Sequence, residues 1–324
     1  MDGDGDVDYV VTNFGLNTKY HASPAKPTLL YYGDFEKTGR MRLVEAEFED
    51  EKLYPVRGKS CSTRAMPFLG KKFDTFKAFA SAELGGIYTK QCLTDSHKFS
   101  TTTLESGILR NDGQGRFQFT PLPRLAQASP SFGVALTDAD GDGHADVLLA
   151  QNFHGPQVET GRMDGGVGLL LTGQGNGSFD SVWPKRSGIV VPTDATSMVL
   201  TDLNRDGRPD LLIGVNDGPV MAFEHCGAGA NQLISVRLQG PRGNPTALGA
   251  RVTVHLSDGS FQTAEVHASG GYLSQSSAVL AFGLGATGRV KSIAVNWPDG
   301  KRTETTETPT AIPIVIVSPD VESN

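Results

Sequence analysis

The sequence predicts an all-β chain, built of sheet-forming repeats followed by a small β-sandwich-like domain. Three observations carry this. Aspartate-rich loops recur ahead of short apolar runs at a regular spacing. Glycine-rich hairpin signals recur in phase with them. The C-terminal stretch alternates apolar and polar residues over strand-length segments separated by turn residues.

Composition agrees. In 324 residues there are 39 glycines and 18 prolines, with 38% hydrophobic and 20% charged residues, which suits a turn-rich globular chain. The net charge of -7 argues against a nucleic-acid partner, because a phosphate backbone calls for a basic face. No apolar run reaches the roughly 18 residues of a membrane span. Three cysteines make no disulfide framework; a Cys61–Cys92 bridge and free thiols are both open. No basic segment followed by an apolar one opens the chain, so no signal peptide is read in it.

The repeats come first. Asp138-Ala139-Asp140-Gly141-Asp142-Gly143-His144-Ala145-Asp146 runs into Val147-Leu148-Leu149, and Asp202-Leu203-Asn204-Arg205-Asp206-Gly207-Arg208-Pro209-Asp210 runs into Leu211-Leu212-Ile213. The two loops start 64 residues apart, and Phe117 and Phe179, each closing a Gly-rich hairpin, lie 62 apart. A unit of about 60 residues with several short strands fits a propeller blade. At the N-terminus Asp2, Asp4 and Asp8 fill positions 3, 5 and 9 of the same motif, ahead of Tyr9-Val10-Val11. A fourth copy, Asp34 to Arg42, is eroded: Thr38 stands at position 5 and Arg42 at position 9, so no metal is expected there. The architecture expected is a partial, about four-repeat β-propeller over residues 1–226, with a helical insertion at about 60–105. Within it Leu69, Phe73, Phe76, Ala80 and Leu84 recur at helical spacing over residues 64–84, as a helix packing a Phe stripe on the propeller.

Cys226-Gly227-Ala228-Gly229-Ala230 reads as a linker, and residues 231–318 as a second β domain. Its strands are expected at 233–238, 251–256, 279–282, 290–297 and 312–317. Ser257-Asp258-Gly259-Ser260 forms a hairpin turn before Phe261, and Pro313 places the last strand at an edge or strand start.

The loops point to calcium. A hard cation takes six to eight oxygens in flexible geometry. Asp138, Asp140, Asp142 and Asp146, with the carbonyl of His144, offer such a set; so do Asp202, Asn204, Asp206 and Asp210 with the carbonyl of Arg208. Asp2, Asp4 and Asp8 form an incomplete third set. The glycines at position 6, Gly143 and Gly207, permit the sharp turn. The calcium hand with flanking helices is excluded, because its bidentate Glu at position 12 is replaced by Leu149 and Ile213. Metal-free Asx turns are the plainer alternative.

These loops resemble the FG-GAP or VCBS repeat of integrin-type propellers. Residues 231–238, 247–252, 269–276, 282–285 and 295–300 resemble the ASPIC/UnbV domain. The whole is similar to the cartilage acidic protein family and its bacterial relatives. That resemblance implies a seven-bladed propeller, calcium between blade strands, and an extracellular, periplasmic or cell-surface location. It also implies adhesion or binding of a protein or glycan ligand of unknown identity. With about four repeats in place of seven, it implies further blades N-terminal to this chain.

No catalytic constellation is readable. Gly283-Leu284-Gly285-Ala286-Thr287-Gly288 matches a dinucleotide fingerprint, but strand residues follow where a helix is required. Ser274 and Ser276 read as turn hydroxyls, and Asn176-Gly177-Ser178 as a glycosylation sequon. The expectation is a calcium-binding module without enzymatic activity. The alternative is an enzyme, or an accessory subunit of one, with a ligand pocket on the propeller face, for which His154, Glu159 and Arg162 are the candidate residues.

Overall fold

The computed structural model describes residues 1–158, 160–227, 229–306 and 313–321. Among these the chain is mostly short antiparallel strands, as an all-β fold requires, and it divides into two compact units.

The chain opens with β1 (Tyr9–Val11) and then leaves for the second unit, residues Leu16–Glu105 with Gly155–Arg162. This unit holds β2 (Thr28–Gly33), β3 (Arg42–Glu49) and β4 (Lys52–Pro55). Five short helices follow: α1 (Lys59–Ala65), α2 (Phe68–Lys72), α3 (Phe76–Ala80), α4 (Leu84–Tyr88) and α5 (Lys90–Thr94). The last element is β5 (His97–Thr101). The sheet runs β4-β3-β2-β5. Its inner face, Leu29, Tyr31, Val44 and Ala46, packs on Met66, Leu69, Phe79, Leu84 and Ile87 from the helices.

The single helix expected over 64–84 is therefore broken. Pro67 bars α-helical continuation at Met66, and Thr75 caps a new helix by accepting from the Ala78 N–H. The break also changes the buried stripe. Phe79 is 3% exposed, while Phe76 is 66% exposed and Ala80 is also outside. The eroded loop at Asp34 is the β2–β3 hairpin of this unit, and Arg42 pairs with Glu36 at 3.3 Å. Cys61 and Cys92 are free.

The first unit resumes at Ser106. There β6 (Gly107–Asn111) and β7 (Phe117–Pro121) join β1 in a sheet ordered β1-β6-β7. The second unit is thus inserted between two paired strands, β1 and β6. Next come β8 (Ser131–Thr137), β9 (Asp146–Gln151), β10 (Leu169–Gly173) and β11 (Phe179–Val182), ordered β11-β10-β9-β8. Then β12 (Ala195–Thr201), β13 (Asp210–Val215) and β14 (Met221–Phe223) form a third sheet.

Every residue of β9 is buried, which is why its sequence is a continuous apolar run rather than an alternating one. Val147 and Leu149 pack with Ile108, Leu122 and Ala126; Leu148 and Ala150 pack with Met198, Leu211 and Ile213. Gly133 sits where the sheets approach closely, since a Cβ there would lie 3.1 Å from that of Met198.

The C-terminal strands are β15 (Gln232–Gln239), β16 (Arg251–Leu256), β17 (Phe261–Glu265), β18 (Val279–Gly285), β19 (Val290–Asn296), β20 (Arg302–Thr305) and β21 (Ile314–Val317). They form two sheets, β18-β15-β21 and β17-β16-β19-β20, around Val236, Val252, Val254, Phe282, Ile293 and Trp297. β21, one residue after Pro313, is an edge strand, as expected; Ile312 lies outside the described residues, as does Ala228 of the 226–230 segment. Gly283 and Gly285 end a strand that leads to another strand, not to a helix. The repeats and this C-terminal part share one compact unit. The segment after β17 fastens them: Met198 and Leu200 donate their N–H groups to the Ser274 and Ser276 hydroxyls, and the Ser277 N–H donates to Leu200 O. Both hydroxyls accept at the open edge of β12, and the Ser274 hydroxyl also donates to Tyr272 O within its own turn.

Candidate metal centre

The loop from Asp138 to Asp146 joins β8 to β9, whose ends pair as Thr137↔Asp146. It is a ladder of side-chain-to-backbone turns. Asp138 accepts from the N–H groups of Asp142 at 3.1 Å and Gly143 at 2.8 Å. Asp140 accepts from Asp142 N at 3.2 Å, and Asp142 from His144 N at 2.8 Å. Gly141 and Gly143 take positive φ, +72° and +98°, which lets the chain curl around its own carboxylates. Oxygens of Asp138, Asp140 and Asp146 all lie within 4.8 Å of one another. Among the described residues no other group of three such side chains converges in this way, and Asp142 is not part of it.

Position 9 has a second role that the sequence did not reveal. Asp146 accepts from Ala139 N and from Gly173 N, both at 2.8 Å, tying the loop to the end of β10. Asp210 does the same with Leu203 N and His225 N, also at 2.8 Å. Asp8 accepts from Asn111 N at 2.9 Å and from the Met1 amino group. The last aspartate of the motif is thus a staple between strands as well as a candidate ligand.

The loops differ in charge balance. Burial, aided by Asp142 and Asp140, pushes the Asp138 carboxyl up to about 6 against the opposing Gly143 N–H. Burial likewise pushes Asp146 up to about 7. Asp140 is raised by burial and by the charge of Asp142. In the second loop burial also pushes Asp206 upward, but hydrogen bonds from the Arg208 N–H, Asn204 and the Arg208 guanidinium outweigh it and leave the carboxyl lowered. The guanidinium lies 2.7 Å from Asp206 Oδ2. That loop already contains a cation of its own, and Asp202, Asp206 and Asp210 do not converge as a group of three. At the N-terminus Asp4 accepts from Asp6 N, Asp2 lies 3.8 Å from Arg110 Nε, and no trio forms with Asp8.

One wall of the first loop comes from the C-terminal strands. Gly285 N–H donates to Gly141 O at 2.7 Å, and Asn231 Nδ2 donates to Asp140 O at 2.8 Å. A Cβ on Gly283 would fall 1.9 Å from Asp138 Oδ2. Gly283 of the apparent dinucleotide fingerprint is thus explained by the approach of β18 to the loop, while Gly285 takes a positive φ of +66° and Gly288 lies against Leu284 O. The second loop has a smaller contact of this kind, from the Ser235 hydroxyl to Gly207 O. The carboxylate set and this cradle fit a hard cation.

Of the alternative site residues, His154 belongs to the first unit and the exposed Arg162 to the second, and Glu159 lies outside the described residues. His154 N donates to Asp194 Oδ2, while His154 Nε2 and Asp194 Oδ1 are buried without hydrogen-bond partners.

Comparison with known proteins places the motifs. Residues 240–323 match the ASPIC and UnbV family, and residues 99–149 match the FG-GAP-like repeat. The chain therefore combines an FG-GAP-like, propeller-type repeat with a C-terminal ASPIC/UnbV domain. A search of the curated proteins finds no match. Among solved structures, the crystal structure of the V. cholerae biofilm matrix protein Bap1 aligns at 14% identity, covering 94% of this chain and 63% of that one. Its TM-score of 0.18 carries no argument about fold or function.

Proposed function

We propose that this chain is a calcium-stabilised binding module that works outside the cytosol and catalyses nothing itself. The observation that supports it is the convergence of Asp138, Asp140 and Asp146, two of them held near 6 and 7 by burial. Three carboxylates so close repel one another even at a high effective dielectric, and a divalent cation relieves that cost. Calcium, when bound, would supply charge neutralisation and a cross-link between the loop and β9. The protein's part is to hold the ligands: Gly143 turns the loop, and Asp146 fixes both its ends. Extracellular modules of this chemistry bind in about the 10⁻⁴ to 10⁻³ M range, which suits a calcium-rich compartment. The FG-GAP-like and ASPIC/UnbV composition supports a role in adhesion to a protein or glycan.

Calorimetric titration with calcium tests the site. Wild type binds and Asp140→Asn loses that heat; equal binding by both, or none by wild type, rejects the assignment.

The enzyme reading has one observation in its favour, the two unpartnered buried atoms on His154 and Asp194. Groups left in that state often mark a bound molecule or water. If a ligand sits there, Asp194→Asn weakens its binding without touching the calcium heat.

A further inference from the structure

We propose that the ASPIC/UnbV domain completes the Asp138 cation site and that cation binding and domain docking are linked, with Gly283 and Asn231 as positioning residues. This rests on the calcium reading above and extends it to a part of the chain outside the loop.

The geometry is specific. The loop's third and fourth carbonyls, Asp140 O and Gly141 O, are held by donors from the C-terminal strands, Asn231 Nδ2 and Gly285 N. These bonds fix the peptide planes on either side of Gly141, so the Asp138 and Asp140 carboxylates converge before any cation arrives. Preorganisation of this kind converts ordering cost into affinity. Gly283 lies against the Asp138 carboxylate so closely that even one methyl group displaces it. Gln262 secures that strand from its neighbouring sheet by donating to Gly283 O. The loop thus has two halves: its own carboxylates, and a wall supplied by the Asn231 side chain, 91 residues downstream, and by the backbone of β18.

Linkage makes the effect reciprocal. If docking tightens cation binding by some factor, the cation tightens docking by the same factor. The Ser274–Ser277 contacts to β12 are separate from the loop, so the domain stays attached when the loop contact is weakened. The linkage therefore appears as local opening of β18, not as release of the domain.

The test is hydrogen exchange at the Gly285 amide with and without calcium, together with calcium titration of the full chain and of its Asn231→Ala and Gly283→Ala variants. In wild type, calcium slows exchange at Gly285. Asn231→Ala weakens calcium about fivefold, the worth of one neutral hydrogen bond, while it still unfolds cooperatively in chelator. Gly283→Ala weakens calcium more. If wild type binds calcium but Gly285 exchange ignores it and Asn231→Ala binds equally, the linkage is overturned and the calcium site stands. If wild type binds no calcium, the site itself fails and the linkage with it. Should Gly283→Ala not fold, the wild-type exchange and Asn231→Ala decide.

Discussion

Within one loop, Asp140 and Asp146 do different jobs. Asp146 is fully buried and accepts two backbone N–H groups, one from its own loop and one from β10. Asp146→Ala leaves both donors without an acceptor, which costs about 2–4 kcal/mol and persists in chelator; urea unfolding measures it. Asp140 is only partly buried, and its carboxyl is raised by that burial and then by the charge of Asp142. Asp140→Asn does not lower the melting temperature in chelator, and it abolishes the rise on adding calcium. The pH dependence follows from Asp138 and Asp146, whose folded values of about 6 and about 7 lie above the ordinary 3.8. Between about pH 4 and pH 7 the folded chain therefore holds more protons than the unfolded one, so stability in chelator falls as pH rises through that window. Saturating calcium flattens the slope; thermal melts across pH check the sign. Arg208 is the counter-example, a cation supplied by the chain. Arg208→Ala leaves Asp206 without it and makes the second loop respond to calcium, seen as a second binding event in the titration.

At the scale of elements, the helical insertion separates what spacing reveals from what it hides. Phe73, Phe76 and Ala80 have helical spacing, but Pro67 and the Thr75 cap cut the segment, and the cut turns Phe79 inward instead of Phe76. Phe79→Ala costs about 3–5 kcal/mol by leaving a cavity, whereas Phe76→Ala stays within about 0.5 kcal/mol of wild type in denaturant unfolding. The strands were more legible. Asp-loop motifs mark where β9 and β13 begin, and alternation marks β15 and β16, because these signals are local. Pairing is not local. The Asp34 copy has the pattern of a repeat, yet its strands pair within the inserted unit, since the chain leaves between β1 and β6 and returns without altering either strand's own pattern. The motif gives Arg208 a role only for its carbonyl, because nothing in a spacing says where a side chain folds back. Gly283 resembled a phosphate-binding glycine, and only the approach of β18 to Asp138 gives its actual reason.

On the scale of the whole molecule, the repeats and the ASPIC/UnbV domain form one compact unit, and the candidate metal centre lies where they meet. Calcium at about 100 times its dissociation constant adds about 2.7 kcal/mol, which in a unit of this size raises the melting temperature by roughly 5–10 °C. Asp138 and Asp146 are buried and little screened by salt, so added sodium chloride reduces the calcium effect only weakly. The central claim is that one cation sits among Asp138, Asp140 and Asp146, beneath β18. Anomalous diffraction from crystals grown in calcium tests it most directly. The account predicts a calcium peak in contact with those three carboxylates and shielded on one side by Gly283. Clear density for the loop with no peak there, or a peak only at the Asp202 loop, contradicts it.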